Sequence, residues 1–204
     1  MAFAIICESC KASVTHDVPL HTPDKEENQV EVKYPDPGTP KVKTLLVDGF
    51  FTETTIKPGI TLYSAEMKEE PVTKAHQTVF VLEVDLNNED YKVDFYYGKS
   101  DTTSSIAMKQ NAIAAINACY ELEAVYCKTD GVVHGTCTLD PDHLRFWKHE
   151  AAVVGDGDRK IGIVHGAKGA ADHRDGGLQA LEVYKNLKEP DIFASAPMLI
   201  DDYD

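Results

Sequence analysis

The chain has 204 residues, 43% of them hydrophobic and 26% charged, with a formal net charge of −14 that falls evenly on its two halves. These figures fit one folded globular domain with appendages and exclude disordered, collagenous and coiled-coil classes. The densest basic stretch, Lys41 to Lys43, is too short for the cationic stripe of a nucleic-acid binder, and every apolar run falls well below the roughly 18 residues of a membrane span. Neither a nucleic-acid partner nor a transmembrane segment is expected.

The first residues, Met1 to Cys7, are apolar but too short for a complete export signal and lack its basic flank, so they read as the remnant of one. Residues 8–40 mix Pro19, Pro23, Pro35, Pro37 and Pro40 with acidic residues from Asp24 to Glu27, and alternate only from Val30 to Tyr34. This predicts an extended arm or linker over 1–40, with at most one edge strand, followed by a domain over 41–204.

Alternation with period two then predicts strands at Ile60–Met67, Thr78–Leu86 and Tyr91–Tyr97. The short link Asn87 to Asp90 suggests that the last two pair as an antiparallel hairpin. One of Ser100, Asp101, Thr102 or Thr103 can cap a short helix running through Met108 and Gln110. After it, Ala112–Ile116 is fully apolar and reads as a buried strand that delivers Asn117 at its end. Further strands are expected at Gly131–His134, Glu150–Val154 and Lys160–His165, with Gly155 to Asp158 as the turn joining the latter two. A helix is expected over Leu178–Lys188, stopped by Pro190, and a closing strand or strand pair at Ile192–Ala196 and Met198–Ile200. The expected class is α+β, strand-rich, with mixed or antiparallel sheet and a few short helices.

Several groups invite chemistry. Five histidines, His134, His143, His149, His165 and His173, crowd into forty residues, but their spacings match no metal motif, and no metal or cofactor is expected. The lone Cys7–Cys10 pair has no second pair at zinc-ribbon spacing; Cys119, Cys127 and Cys137 are close enough in sequence for one disulfide, or are inert buried thiols. Asp156 and Asp158 resemble the start of a calcium loop, yet the glycine and glutamate that should follow are missing, so a plain turn is expected. The stretch His165 to Gly177 concentrates small residues with Lys168 and Arg174. Its glycines would let backbone N–H groups approach an anion, with those two cations as partners; an ordinary surface loop is the alternative. Asn117, at a strand end beside small residues, could aim its amide into a cleft to orient a sugar hydroxyl or a phosphate, or could simply satisfy its own turn.

The order Ala112 to Asn117 with Tyr120 following, then Gly131-Val-Val-His134, then Phe193-Ala-Ser-Ala-Pro-Met-Leu-Ile200 resembles the N-terminal half of the phosphodiester glycosidase family, which includes the lysosomal uncovering enzyme and bacterial secreted homologues. The likeness covers residues 75–204, and the segments around Phe146–His149 and His165–Lys168 are similar to Bacteroides-type members. The family motif Asn-Gly-Gly-Phe/Tyr-Phe is matched at Asn117 and Tyr120, while Ala118 and Cys119 replace the glycines and Glu121 the last aromatic. A later Ala-Gly-Pro-x-Leu motif is matched more loosely, at Ala194, Pro197 and Leu199. The resemblance implies a hydrolase that releases a sugar from a sugar phosphodiester or related glycan, in the periplasm, the cell envelope or outside the cell. The family carries an Arg-containing strand and an Asp-Gly-Gly-Gly-Ser-type motif further downstream. The resemblance therefore also implies a domain incomplete at its C-terminus, inactive alone and completed by a further segment or a second chain.

Cleaving a sugar–phosphate bond passes through an oxocarbenium-like state, which needs a carboxylate or amide dipoles near C1, while donors on the phosphate ease its departure. Glu121 is the expected catalytic carboxylate; Asn117 and Tyr120 would position the sugar, and His165, Lys168 and Arg174 would hold the phosphate. The carbohydrate or sugar-phosphate reading requires Asn117 to face an open hollow shared with the basic glycine stretch. The alternative is a noncatalytic envelope module. An exposed aromatic platform containing Trp147 or Tyr97 would favour carbohydrate binding, and an open sheet edge near 192–200 would favour a structural subunit.

Overall fold

The computed structural model describes residues 2–7, 32, 50–69, 74–98, 101–118, 122–143 and 145–194. Among them are eleven strands and two α-helices, and every strand pairing is antiparallel, so the fold is strand-rich α+β. The chain divides into two compact units, 36–89 and the combination of 1–35 with 90–204.

The smaller unit is a three-stranded meander of β2 (Thr52–Lys57), β3 (Ile60–Met67) and β4 (Gln77–Val84). Gly59, at φ 82°, makes the turn between β2 and β3. Tyr63 on β3 donates its hydroxyl proton to Glu83 Oε2 on β4 at 2.8 Å. That bond to a carboxylate, more than burial, pushes the phenol pKa up to about 12.

In the larger unit, β1 (Ala2–Cys7) lies between β5 (Tyr91–Tyr96) and β6 (Ala112–Asn117). Residues 8–40, on which the expected arm or linker rests, lie outside the described residues except for Val32. The apolar run that is too short for an export signal has the length of a strand paired on both edges. The pairing of β5 with β1 corrects the expected hairpin. Strand β4 takes β3 as its partner and β5 takes β1, because the six residues from Asp85 to Asp90 form a turn of their own, in which Asp85 Oδ1 accepts from the Asn87 N–H at 3.0 Å. The Val30–Tyr34 strand falls outside the described residues except for Val32, which packs half-buried against the core.

Helix α1 (Thr103–Lys109) starts as the sequence suggests, with the Thr102 hydroxyl accepting from the Ser105 N–H at 3.2 Å. It packs on β6 and β1 through Ile106, which is buried. Strand β6 follows, but as an edge strand that is half-buried and then exposed, not as a buried one.

The second sheet of this unit runs β10 (Ile161–His165), β9 (Ala151–Gly155), β11 (Asp191–Ala194), β7 (Tyr126–Thr129), β8 (Val132–Thr136). Asp130 and Gly131, both at positive φ, make the tight β7–β8 turn, which suits the twist of the strands it joins. Asp156 Oδ1 closes the β9–β10 turn by accepting from the N–H groups of Asp158 and Lys160, which is the plain turn expected there.

Helix α2 (His173–Asn186) covers one face of this sheet. Its Ala180, Leu181 and Tyr184 pack with Tyr126, Ala152, Val154, Val164 and Ile192. The other face meets β5, where the Phe95 ring lies 5.8 Å from that of Phe193 and fills the space that a side chain at Gly155 would take. The helix begins five residues before the expected Leu178, because the Asp172 side chain caps it by accepting from the Asp175 N–H at 2.9 Å. The segment near 192–200 is not a sheet edge where it is described: β11 lies between β9 and β7. Met198–Ile200 falls outside the described residues.

Candidate functional site

Asn117 is the last residue of β6, opposite Ala2 of β1, and is exposed beside Ile116, itself 59% exposed. Its amide is therefore open to solvent rather than sealed in the turn. Tyr120 and Glu121 lie outside the described residues, as do Cys119 and Cys10.

The glycine stretch has a different character from an open anion loop. A Cβ at Gly166 would stand 2.7 Å from the Tyr184 hydroxyl oxygen, one at Gly176 3.0 Å from the Ala167 Cβ, and one at Gly177 2.5 Å from Phe146 Cε1. These three glycines let α2 approach the 166–169 turn and the single helical turn Phe146–His149 closely. In this stretch Gly169 has nothing within 4 Å, and its φ of 79° explains its presence. The N-terminus of α2 is capped by Asp172 and carries Asp175 in its first turn, so its dipole is already matched by negative charge.

The three expected phosphate ligands take separate positions. Arg174 donates from Nε to Asp142 Oδ1 at 3.1 Å in an exposed pair. Lys168 is exposed on the turn, and its carbonyl and that of Gly166 accept from Gln179 Nε2 at 2.9 and 3.0 Å, which clamps the turn to α2. His165, at the end of β10, has Nε2 3.8 Å from Glu150 Oε1, with both side chains about four-fifths buried.

Glu150 is the residue that sequence reasoning leaves out, and strand alternation gives no signal for it: His165 pairs with Ala151, so regular alternation would send residue 150 to the opposite face, and Glu150 reaches the histidine because it lies just outside β9. The backbone around Glu150 is held firmly. Tyr184 donates its hydroxyl proton toward the carbonyls of His149 and Glu150, and the Ala167 N–H donates to the Glu150 carbonyl. Behind it, His149 is fully buried, edge-on to Phe146, and donates from Nε2 to the Gly177 carbonyl at 2.8 Å. Burial holds its pKa below the ordinary histidine value, while the Gly177 and Ala124 carbonyls pull it back. It is therefore a neutral core histidine at pH 7.

The other histidines are dispersed. His134 stacks on Tyr97 at 4.0 Å and shares a 2.8 Å hydrogen bond with the Thr129 hydroxyl, and burial lowers its pKa. His143 Nδ1 accepts from the Arg145 N–H. His173 opens α2 on the surface. Among the described residues no three His, Cys, Asp or Glu side chains gather closely enough to hold a metal ion. Cys127 is buried in β7, and Cys137 is a half-buried free thiol packed against the helix-side core, with its pKa raised by burial.

Two buried charges also lacked a sequence signal. Lys128, on β7, donates from Nζ to the Leu187 carbonyl at the end of α2, and burial lowers its pKa. Asp191, 3% exposed, accepts from the Asp130 N–H at 2.9 Å, and burial pushes its pKa up to about 6. Compared with protein-family models, curated proteins and solved structures, the chain finds no match.

Proposed function

We propose that the chain supplies binding and acid–base residues to a hydrolase of the phosphodiester glycosidase kind, acting on a sugar phosphodiester or related glycan at the cell envelope or outside the cell. The observation that supports this reading is the Glu150–His165 pair, a carboxylate 3.8 Å from an imidazole, each about four-fifths buried, beside the turn that carries Lys168. Sugar–phosphate cleavage needs a carboxylate for the positive charge growing at C1 and a donor for the departing phosphate, and this pair offers both groups on a fixed backbone. The exposure of Asn117 agrees with a role in holding a sugar.

The alternative, a noncatalytic carbohydrate-binding or structural module, is favoured by Phe80 on β4, which is 68% exposed. Of the expected aromatic platform, Tyr97 is half-buried and stacks one face on His134, and the Trp147 side chain lies outside the described residues.

The test is a titration of the labelled protein with N-acetylglucosamine 1-phosphate, followed by backbone NMR. Shifts centred on Glu150, His165 and Lys168 are expected. They should weaken at least tenfold in affinity, about 1.4 kcal/mol, in Glu150→Gln if the pair orients the ligand. Shifts confined to the 50–84 sheet would favour the module, and saturation without any shift near Glu150 would end the hydrolase reading.

A further inference from the structure

Strand β1 joins β5 to β6, with Ala4 opposite Asp94 on one side and Ala115 on the other. Neighbouring strands lie about 4.8 Å apart, so β5 and β6 stand about 10 Å from each other across it. Both walls of this slot have anchors besides β1. Strand β5 is held where Phe95 meets Phe193, and β6 is held by α1, whose Ile106 is buried. The helix-side core is also built from later elements: Tyr126, Val154, Val164, Tyr184 and Ile192 belong to β7, β9, β10, α2 and β11. With β1 out of place, the walls would present two facing rows of backbone N–H and C=O groups, a template for another extended apolar segment.

We propose that this slot accepts the Ala2–Cys7 strand of a second copy, so that two chains exchange β1 reciprocally and form a strand-swapped dimer. The ladder is the same whichever copy supplies the strand, and what favours the chain's own strand is its tether. That tether is long. Residues 8–31 separate β1 from Val32, which packs half-buried against the helix-side core, and a segment of that length can span up to about 80 Å. A tether of this kind holds its own strand at an effective concentration of about 1 mM or less, which is the scale on which a second copy competes. Each copy gives and receives the same strand, so reciprocal exchange closes on two subunits about a two-fold axis. The exchange is independent of the hydrolase reading.

Refolding of the full chain from urea tests it, under reducing conditions so that no disulfide joins two copies. Small-angle scattering of samples refolded and measured at about 50 μM and about 1 mM should show the dimer fraction rising about fivefold. A mixture of chains labelled with nitrogen-15 and chains labelled with carbon-13, refolded together at the higher concentration, then shows which copy supplies each strand. Isotope-filtered NOEs are expected between Ala2–Cys7 of one chain and Tyr91–Tyr96 or Ala112–Asn117 of the other. A chain that stays monomeric at both concentrations overturns the exchange, and so does a dimer whose β1 contacts all lie within one chain.

Discussion

The hydroxyl of Tyr184 stands 2.8 Å from the carbonyl oxygen of His149 and 3.0 Å from that of Glu150, so one helix side chain fixes the two residues that lead into β9. Tyr184→Phe removes the donor to the His149 carbonyl, while the Glu150 carbonyl keeps the Ala167 N–H, and the loss costs about 1–3 kcal/mol. The expected result is a lower urea midpoint with an unchanged slope. A midpoint equal to that of the wild type would show that the bond contributes nothing.

Gly177 and Gly169 separate two reasons for glycine. Alanine at 177 would push a methyl group to 2.5 Å from Phe146 Cε1 and 3.2 Å from His149 Nε2. The overpacking, about 1–3 kcal/mol, outweighs the roughly 1 kcal/mol by which alanine favours a helix. Alanine at 169 meets nothing and bears only the cost of a positive φ, about 1–2 kcal/mol. Both variants should lose stability, but only Gly177→Ala should move the ring signals of Phe146 and His149 in an NMR spectrum.

Asp191 gives stability a pH dependence of definite sign. A carboxyl raised from 3.8 to about 6 on folding makes the folded chain hold a proton that the unfolded chain has released. Stability therefore falls as pH climbs through that window, by about 3 kcal/mol at most, and is level above it. Denaturation at pH 4 and pH 7 should show the drop in the wild type and a smaller one in Asp191→Asn. An equal drop in both would assign the effect to other groups.

Lys128 works in the opposite direction. Its burial lowers the ammonium pKa below 10.5, so the folded chain releases this proton before the unfolded chain does, and stability contributed by this residue rises as pH approaches 10. Lys128→Met keeps the apolar stem and removes the titration. The variant should lack that rise, and its persistence would exclude Lys128 as the source.

Much of the strand pattern was legible in the sequence because alternation survives wherever one face is buried, as in Ile60–Met67 and Tyr91–Tyr96. Strand β7 was not, since its four residues, Tyr126 to Thr129, are all buried and include a lysine and a threonine that only the folded surroundings satisfy. Yet Asp130-Gly131 is a strong hairpin signal, and reading backward from it locates β7. Partner choice was hidden for another reason. Proximity along the chain favours a β4–β5 hairpin, whereas the pairing of β5 with β1 joins segments far apart in sequence, which local pattern does not report. At the candidate site, the glycines suggested ligand access because sequence shows only that side chains are missing. The structure shows neighbouring rings and methyl groups in the space those side chains would need.

The place of Ala2–Cys7 between β5 and β6 bears on how the molecule comes together as it is made. The strand is made about ninety residues before β5 and about 110 before β6, so an apolar hexapeptide has no ladder on either side while the 36–89 unit is synthesised. The three-stranded sheet can therefore close only once translation has passed Asn117, so its contacts are among the most non-local of the fold.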